Sequence, residues 1–240
     1  MSKPRKAAKR LSTAEANRRL ISIVSFLEPE VRVAVEMKAV LKSWSAEAER
    51  QSAEERRFYN APMINFAGDA IAHQLAITLA RLFDRGSKRF HDNNKDIASI
   101  PLALRLLRQT RCKECLIGRR HDWFNDAPSL AQRFPVSCGE AIERAIGTYY
   151  GRVTKNPYAA ALRRLHKHRN STLAHNLFDA DGKGRPYYGD LYVLTDWATR
   201  VMGDTLYAVT SARHNYATHE EIWTTQARLL YRATASRRNK

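Results

Sequence analysis

From Pro62 to Phe83 an apolar or small side chain returns every three or four residues, at Ile64, Ala67, Ile71, Leu75, Thr78 and Leu82. At 3.6 residues per turn this spacing collects all six on one stripe of an α-helix, whereas a strand, with its period of two, would scatter them over both faces. The same period recurs along most of the chain, and no alternating segment longer than a few residues interrupts it. The sequence therefore predicts an all-α protein. With 240 residues, 44% of them hydrophobic, it can bury a substantial core without covalent staples.

Punctuation divides the pattern into elements. Ser12 and Glu15 form a capping box that opens a helix to about Leu27. Pro29 is expected to start a second helix, carrying Val31, Val35, Leu41 and Trp44 toward Tyr59, with "SAEAERQSAEERR" as a solvated charge run. After the helix at 62–83 comes the polar loop "RGSKRFHDNN", which has one glycine and no phosphate-loop pattern. Ser99 caps "IPLALRLLRQT", and Asp126 opens a short helix that Pro135 is expected to stop before "CGEAIERAIGTYYGRV" forms another. Asn156 and Pro157 read as the cap and first turn of a helix that includes "HKHRNSTLAH", residues 166–175, and "DADGKGRP" closes it. Two further helices are predicted, over about 191–212 and, through a capping box of Thr218 and Glu221, over about 220–235. The expected organisation is a basic arm over 1–11, an N-terminal helical extension over 12–60, one helical domain over 61–235 and a basic tail over 236–240.

Lys and Arg number 41 against 24 Asp and Glu, a net charge of +17, which makes a polyanion, and RNA or DNA first, the expected partner. From Arg144 to Phe178 there is no acidic residue, while Arg144, Arg152, Lys155, Arg163, Arg164, Lys167 and Arg169 are all basic. Arg152, Lys155, Arg163, Arg164 and Lys167 are accordingly the candidates for RNA contact. Tyr149, Tyr150, Tyr187, Tyr188 and Trp197 have the chemistry to stack bases, although aromatic residues at such spacing are more often core. Three cysteines cannot pair completely, and no apolar run near the N-terminus resembles a signal peptide or a spanning helix, so a reduced, soluble, cytoplasmic protein without membrane attachment is expected. "CKEC" has redox or metal spacing, but it falls in a predicted helix, Cys138 is distant, and no second pair exists. It reads as two small helix residues, and no metal or cofactor is expected.

On a helical wheel Tyr158, Ala161, Leu162, Leu165, Thr172 and Leu173 share one broad arc, with Arg169 near its middle and His168 and His175 on one edge. A lone arginine inside an apolar stripe is too costly without a partner. Arginine and histidine with four to six residues between them are expected about three times by chance in this composition, and Arg85 with His91, Arg163 with His168 and Arg213 with His219 are such accidents. Requiring asparagine after the arginine lowers the expectation to about 0.04, and Arg169, Asn170 and His175 satisfy it.

"RNSTLAH" resembles the Arg-Asn-x-x-x-x-His signature of the HEPN superfamily, helical ribonucleases and nucleotide-binding proteins of prokaryotic defence and toxin–antitoxin systems. "LAITLARLFD" (75–84) and "SIPLALRLL" (99–107) look like its AbiU-like abortive-infection branch, the likeness covering roughly 60–212. The resemblance implies a HEPN-like helical bundle with additional N-terminal and C-terminal helices, acting as a metal-independent endoribonuclease built as a homodimer, with an antitoxin or other defence partner. It implies Arg169, Asn170 and His175 as the catalytic set. The residue chemistry is consistent with that role: histidine titrates where the 2′-hydroxyl and the leaving oxygen exchange protons, and guanidinium grips phosphoryl oxygens bidentately. The second acid or base would come from the partner chain or from His168. Arg81 and Asp84, three apart, either pair with each other or brace the Arg169 helix. The alternatives are a noncatalytic HEPN-type module that binds RNA or a nucleotide, and a basic helical adaptor for nucleic acid.

Overall fold

The computed structural model describes residues 11–53, 61–86, 97–119, 128–170 and 186–235, and within them every regular element is helical. In chain order these are α1 (Thr13–Ala53), α2 (Ala61–Leu82), α3 (Ile100–Leu107), α4 (Thr110–Gly118), α5 (Pro128–Tyr150), α6 (Tyr158–His168), α7 (Tyr188–Thr210) and α8 (Tyr216–Ala235). The protein is all-α. The basic arm up to Arg10, the "DADGKGRP" turn as far as Arg185, the cap at Asp126, His91, His175 and the tail from Ser236 lie outside the described residues.

The capping box forms: the Ser12 amide donates to Glu15 Oε2 at 2.7 Å, and the Glu15 amide donates to Ser12 Oγ at 3.2 Å. The helix it opens does not end at Leu27 but runs through Pro29 to Ala53, so the two expected helices are one. The buried series Leu20, Val24, Leu27, Val31 and Val35 keeps its spacing of three and four across the proline. Pro29 and Ser25, whose carbonyl loses its amide partner, both face solvent, where water replaces the bond. Pro135 likewise lies inside α5 rather than stopping a helix before it, because Phe134, Cys138, Ala141, Ile142 and Ala145 are buried along one continuous face. Beyond Tyr150 the chain turns at Gly151, where a Cβ would stand 2.7 Å from the Gly147 carbonyl oxygen. The start of α6 is shifted by one residue, with Pro157 rather than Asn156 at the cap position. The last helix starts a turn earlier than its capping-box reading, because Asn215 Oδ1 accepts from the Thr218 amide at 3.1 Å and caps α8 at Tyr216.

The chain divides into two compact units. The first takes residues up to Val31, Arg81–Asn156 and Trp197–His214. Its centre is aromatic: the Trp197 ring stacks on Phe83 at 4.9 Å and on Tyr149 at 5.0 Å, and its indole N–H donates to the Thr148 carbonyl at 3.1 Å. Tyr149 and Trp197 are thus core residues and not stacking platforms for bases. The second unit takes Arg32–Ala80, Pro157–Asp196 and the chain from Asn215 onward. Buried residues of α1, α2, α6, α7 and α8 form its interior, among them Val35, Leu75, Leu165, Leu194 and Tyr231. Residues 12–60, expected as an extension, contribute buried side chains to both units.

Charged groups tie α1 to the C-terminal helices within the second unit. The buried Lys38 ammonium pairs with Asp196 and, at 2.8 Å, with Glu220. Buried Glu47 receives the Arg232 fork at 2.8 Å and Arg50 at 3.1 Å. The bond from Arg232 holds the Glu47 carboxyl below its ordinary range, more than offsetting the opposing effect of burial.

Candidate functional site

α6 carries no acidic residue, and its last turn is His166, Lys167 and His168, a placement that suits the negative end of the helix dipole. Ala161, Leu165 and His168 follow one another at four and three residues, and all are buried, His168 to 6% exposure. Arg169 lies beside this series and is half-buried, so the wheel's assignment of Arg169 to the middle and His168 to the edge is reversed. The helix then widens into a π-type turn at Arg169 and Asn170, a feature often found where a helix carries function. There Arg169 Nε donates to Asn170 Oδ1 at 3.2 Å, so the asparagine holds the arginine's near edge. Arg169 and Asn170 of the expected catalytic set are therefore together at the end of α6.

Within the second unit His168 also lines a cleft of about 380 Å³, together with Asp69, Ala72, His73, Ala76, Pro186, Tyr188 and Leu191. The rings of His73 and His168 meet edge to face at 6.2 Å between centroids. Asp69 stands one helical turn before His73 on α2, and the Tyr188 hydroxyl donates to Asp69 Oδ1 at a long 3.5 Å. Burial, and then the neighbouring Asp69 carboxylate, push the Tyr188 phenol above its usual range.

The five basic candidates separate into different roles. Arg163 and Lys167 are exposed one turn apart on α6. Arg164 between them is committed elsewhere: its Nε reaches Asp190 Oδ2 at 2.6 Å and its terminal nitrogen reaches Asp190 Oδ1 at 2.5 Å. Its guanidinium also lies 5.3 Å from the Tyr187 ring centre. In this structure the Arg164 fork is thus filled by Asp190, unlike the exposed Arg163 and Lys167 on either side of it. Arg152, half-buried, and Lys155, exposed, belong to the first unit. Arg144 there pairs with Asp204 at 3.0 Å.

Arg81 and Asp84 are also residues of the first unit, where the Asp84 amide donates to the Arg81 carbonyl at 3.1 Å while their side chains reach other groups. Arg81 reaches Glu30 at 3.2 Å, and Asp84 Oδ1 accepts the Gly86 amide at 2.8 Å, closing the turn where Gly86 takes a φ of 65°. His219, one of the accidental matches, pairs with Glu36 at 2.8 Å.

Asp69, His73 and Leu191 are cleft residues that sequence reading missed. The apolar stripe dominates the pattern of α2, and the signal available beside it is the pair Asp69 and His73 four apart, with small Ala72 and Ala76 alongside. "CKEC" lies on α4, with Cys112 buried. Burial raises the Cys112 thiol and pushes Cys138 up to about 11, so both are poor nucleophiles and poor ligands. Among the described residues no three His, Cys, Asp or Glu side chains are grouped to hold a metal, and no helix is long and apolar enough to cross a membrane. No family model, curated protein or solved structure matches this chain.

Proposed function

We propose that this chain is a HEPN-type, AbiU-like endoribonuclease of a phage-defence or toxin–antitoxin system, working in the cytoplasm as a homodimer and cutting RNA without a metal. The observation that carries the reading is the pairing at the end of α6, where Asn170 holds Arg169 through its Nε beside the buried His168. An arginine gripped on one edge presents its terminal nitrogens in a fixed direction, which is what stabilising a crowded, doubly charged phosphorus requires. The excess of basic residues over the whole chain favours a polyanionic substrate.

In this reading the RNA's own 2′-hydroxyl attacks the adjacent phosphorus. His175 serves as acid or base in that step. His168, or a histidine of the second chain, carries the complementary proton, and Arg169 neutralises the charge that builds on the phosphoryl oxygens. The products are a 2′,3′-cyclic phosphate and a free 5′-hydroxyl.

Purified protein incubated with total RNA in excess EDTA tests this. Cleavage with those end groups is expected from the wild type, with none from His175→Ala and a loss of roughly a hundredfold or more from Arg169→Lys, since a lysine point charge does not reproduce the bidentate grip. A dependence on magnesium, 5′-phosphate products or a fully active His175→Ala protein would overturn the assignment. Salt-sensitive RNA binding with no cleavage would move the function to the noncatalytic, RNA-holding alternative.

A further inference from the structure

The cleavage chemistry above needs the end of α6, but it makes no use of the α2 wall of the cleft. That wall has a composition of its own. Ala72 and Ala76 on α2, with Leu191 on α7, give an apolar lining with low side chains, which lets a flat ring approach the helix. The polar groups are Asp69, the two imidazoles and the Tyr188 hydroxyl. A volume of about 380 Å³ is in the range of small-ligand clefts, about 300–1,000 Å³.

The carboxylate decides what kind of group fits. In a chain of net charge +17, the cleft is lined by a single acidic side chain, Asp69. Asp69 repels a phosphate and accepts from N–H donors, so the part of a ligand lying here is neutral, planar and donor-bearing. Its one hydrogen bond among the described residues is the long contact from Tyr188, which leaves the carboxylate fork able to accept two more. The Tyr188 ring, 43% exposed, is open to a stacking partner. His168, which lines the cleft, directly precedes Arg169 in the chain, so the cleft opens at the same end of α6 that carries the proposed cleavage residues.

On an RNA substrate a planar, donor-bearing heterocycle is a base, and the four bases differ in how they meet a carboxylate. Guanine alone offers two parallel donors, N1–H and the N2 amino group, on its pairing edge. Adenine and cytosine set one donor beside an acceptor, and uracil has one donor between two acceptors. We propose that this cleft is a base subsite for an unpaired guanine, with Asp69 receiving N1–H and N2–H and Tyr188 stacking on the ring. The assignment rests on the reading of RNA as the substrate.

Calorimetric titration of the full chain with guanosine, adenosine, cytidine, uridine and inosine monophosphates in EDTA tests it without any cleavage step. The guanosine nucleotide should bind roughly tenfold or more tightly than the others, and inosine, which lacks the amino group, should lose most of that margin. Asp69→Asn replaces two acceptors by one acceptor and one donor, so the preference should vanish while the helical circular dichroism of the protein stays unchanged. Equal affinities for all five nucleotides, no binding of any, or a guanine preference that survives in Asp69→Asn would each overturn the proposal. RNA cleavage without preference for guanine sinks the subsite and leaves the ribonuclease reading standing. Guanine-selective binding by a protein that cuts no RNA does the reverse.

Discussion

Arg163 and Arg164 are neighbours of the same type in the same basic run, and the fold uses them in opposite ways. The helical period, legible in the sequence, sets Arg163 outward with Lys167 one turn on. The fate of Arg164 depends on Asp190, 26 residues later, and a single sequence does not reveal a pairing at that distance. The same limit hid His73, which gains its meaning only by facing His168 across the cleft. At Asp190, burial on its own would raise the carboxyl, but the Arg164 fork and the Tyr187 amide together hold it below its ordinary range. A carboxylate lowered by folding contributes stability above its unfolded value and loses that contribution as pH falls through the folded value. Arg164→Gln should therefore unfold in urea about 2 kcal/mol more easily near neutral pH. That is less than for a fully buried pair, because the Arg164 side chain is 35% exposed and solvent screens it. The deficit should shrink in acid as Asp190 protonates. A pH-independent deficit, or none, would show that the pair does not act as an ion pair in stability.

At the scale of elements the sequence revealed helices better than their ends. The capping box at Ser12 was readable because both partners lie within one turn. The two prolines misled, because a proline stops a helix only when nothing else holds the axis. In α1 the apolar stripe from Leu20 to Val35 does so, and the lost bond falls on the solvent side. Thr218 and Glu221 had the letters of a cap, yet Asn215 one turn earlier took the role. Local rules rank candidates for a helix start, and the packed face chooses among them. If Pro29 is tolerated rather than required, Pro29→Ala restores the amide bond to the Ser25 carbonyl and removes the ring from the preceding turn. It should raise unfolding stability by about 1–2 kcal/mol, less than the roughly 3 kcal/mol intrinsic penalty, because proline also restricts the unfolded chain. An unchanged or lowered denaturation midpoint would mean that a bend at Pro29 is needed to bury Val31 and Val35.

Over the whole molecule, the net charge of +17 is legible from composition, but the share of it available to a polyanion is not. The acid-free stretch from Arg144 to Phe178 looked like a continuous positive field. Two carboxylates of α7 cancel parts of it, with Asp204 on Arg144 in the first unit and Asp190 on Arg164 in the second. Among the described residues of that stretch, Arg163 and Lys167 on α6 and Lys155 are exposed. For single-stranded nucleic acid, each neutralised phosphate contributes about 0.7 to the slope of log affinity against log salt through counterion release. Arg163→Gln and Lys167→Gln should each flatten that slope by about 0.7 in a fluorescence-anisotropy titration with a short unstructured RNA, and should leave the unfolding midpoint in place. Arg164→Gln should leave the slope unchanged, because its charge is already spent on Asp190, and should show its effect in stability alone. A slope that responds equally to all three substitutions would mean that Asp190 releases Arg164 when RNA arrives. A slope that ignores all three would place the RNA on a different face of the protein.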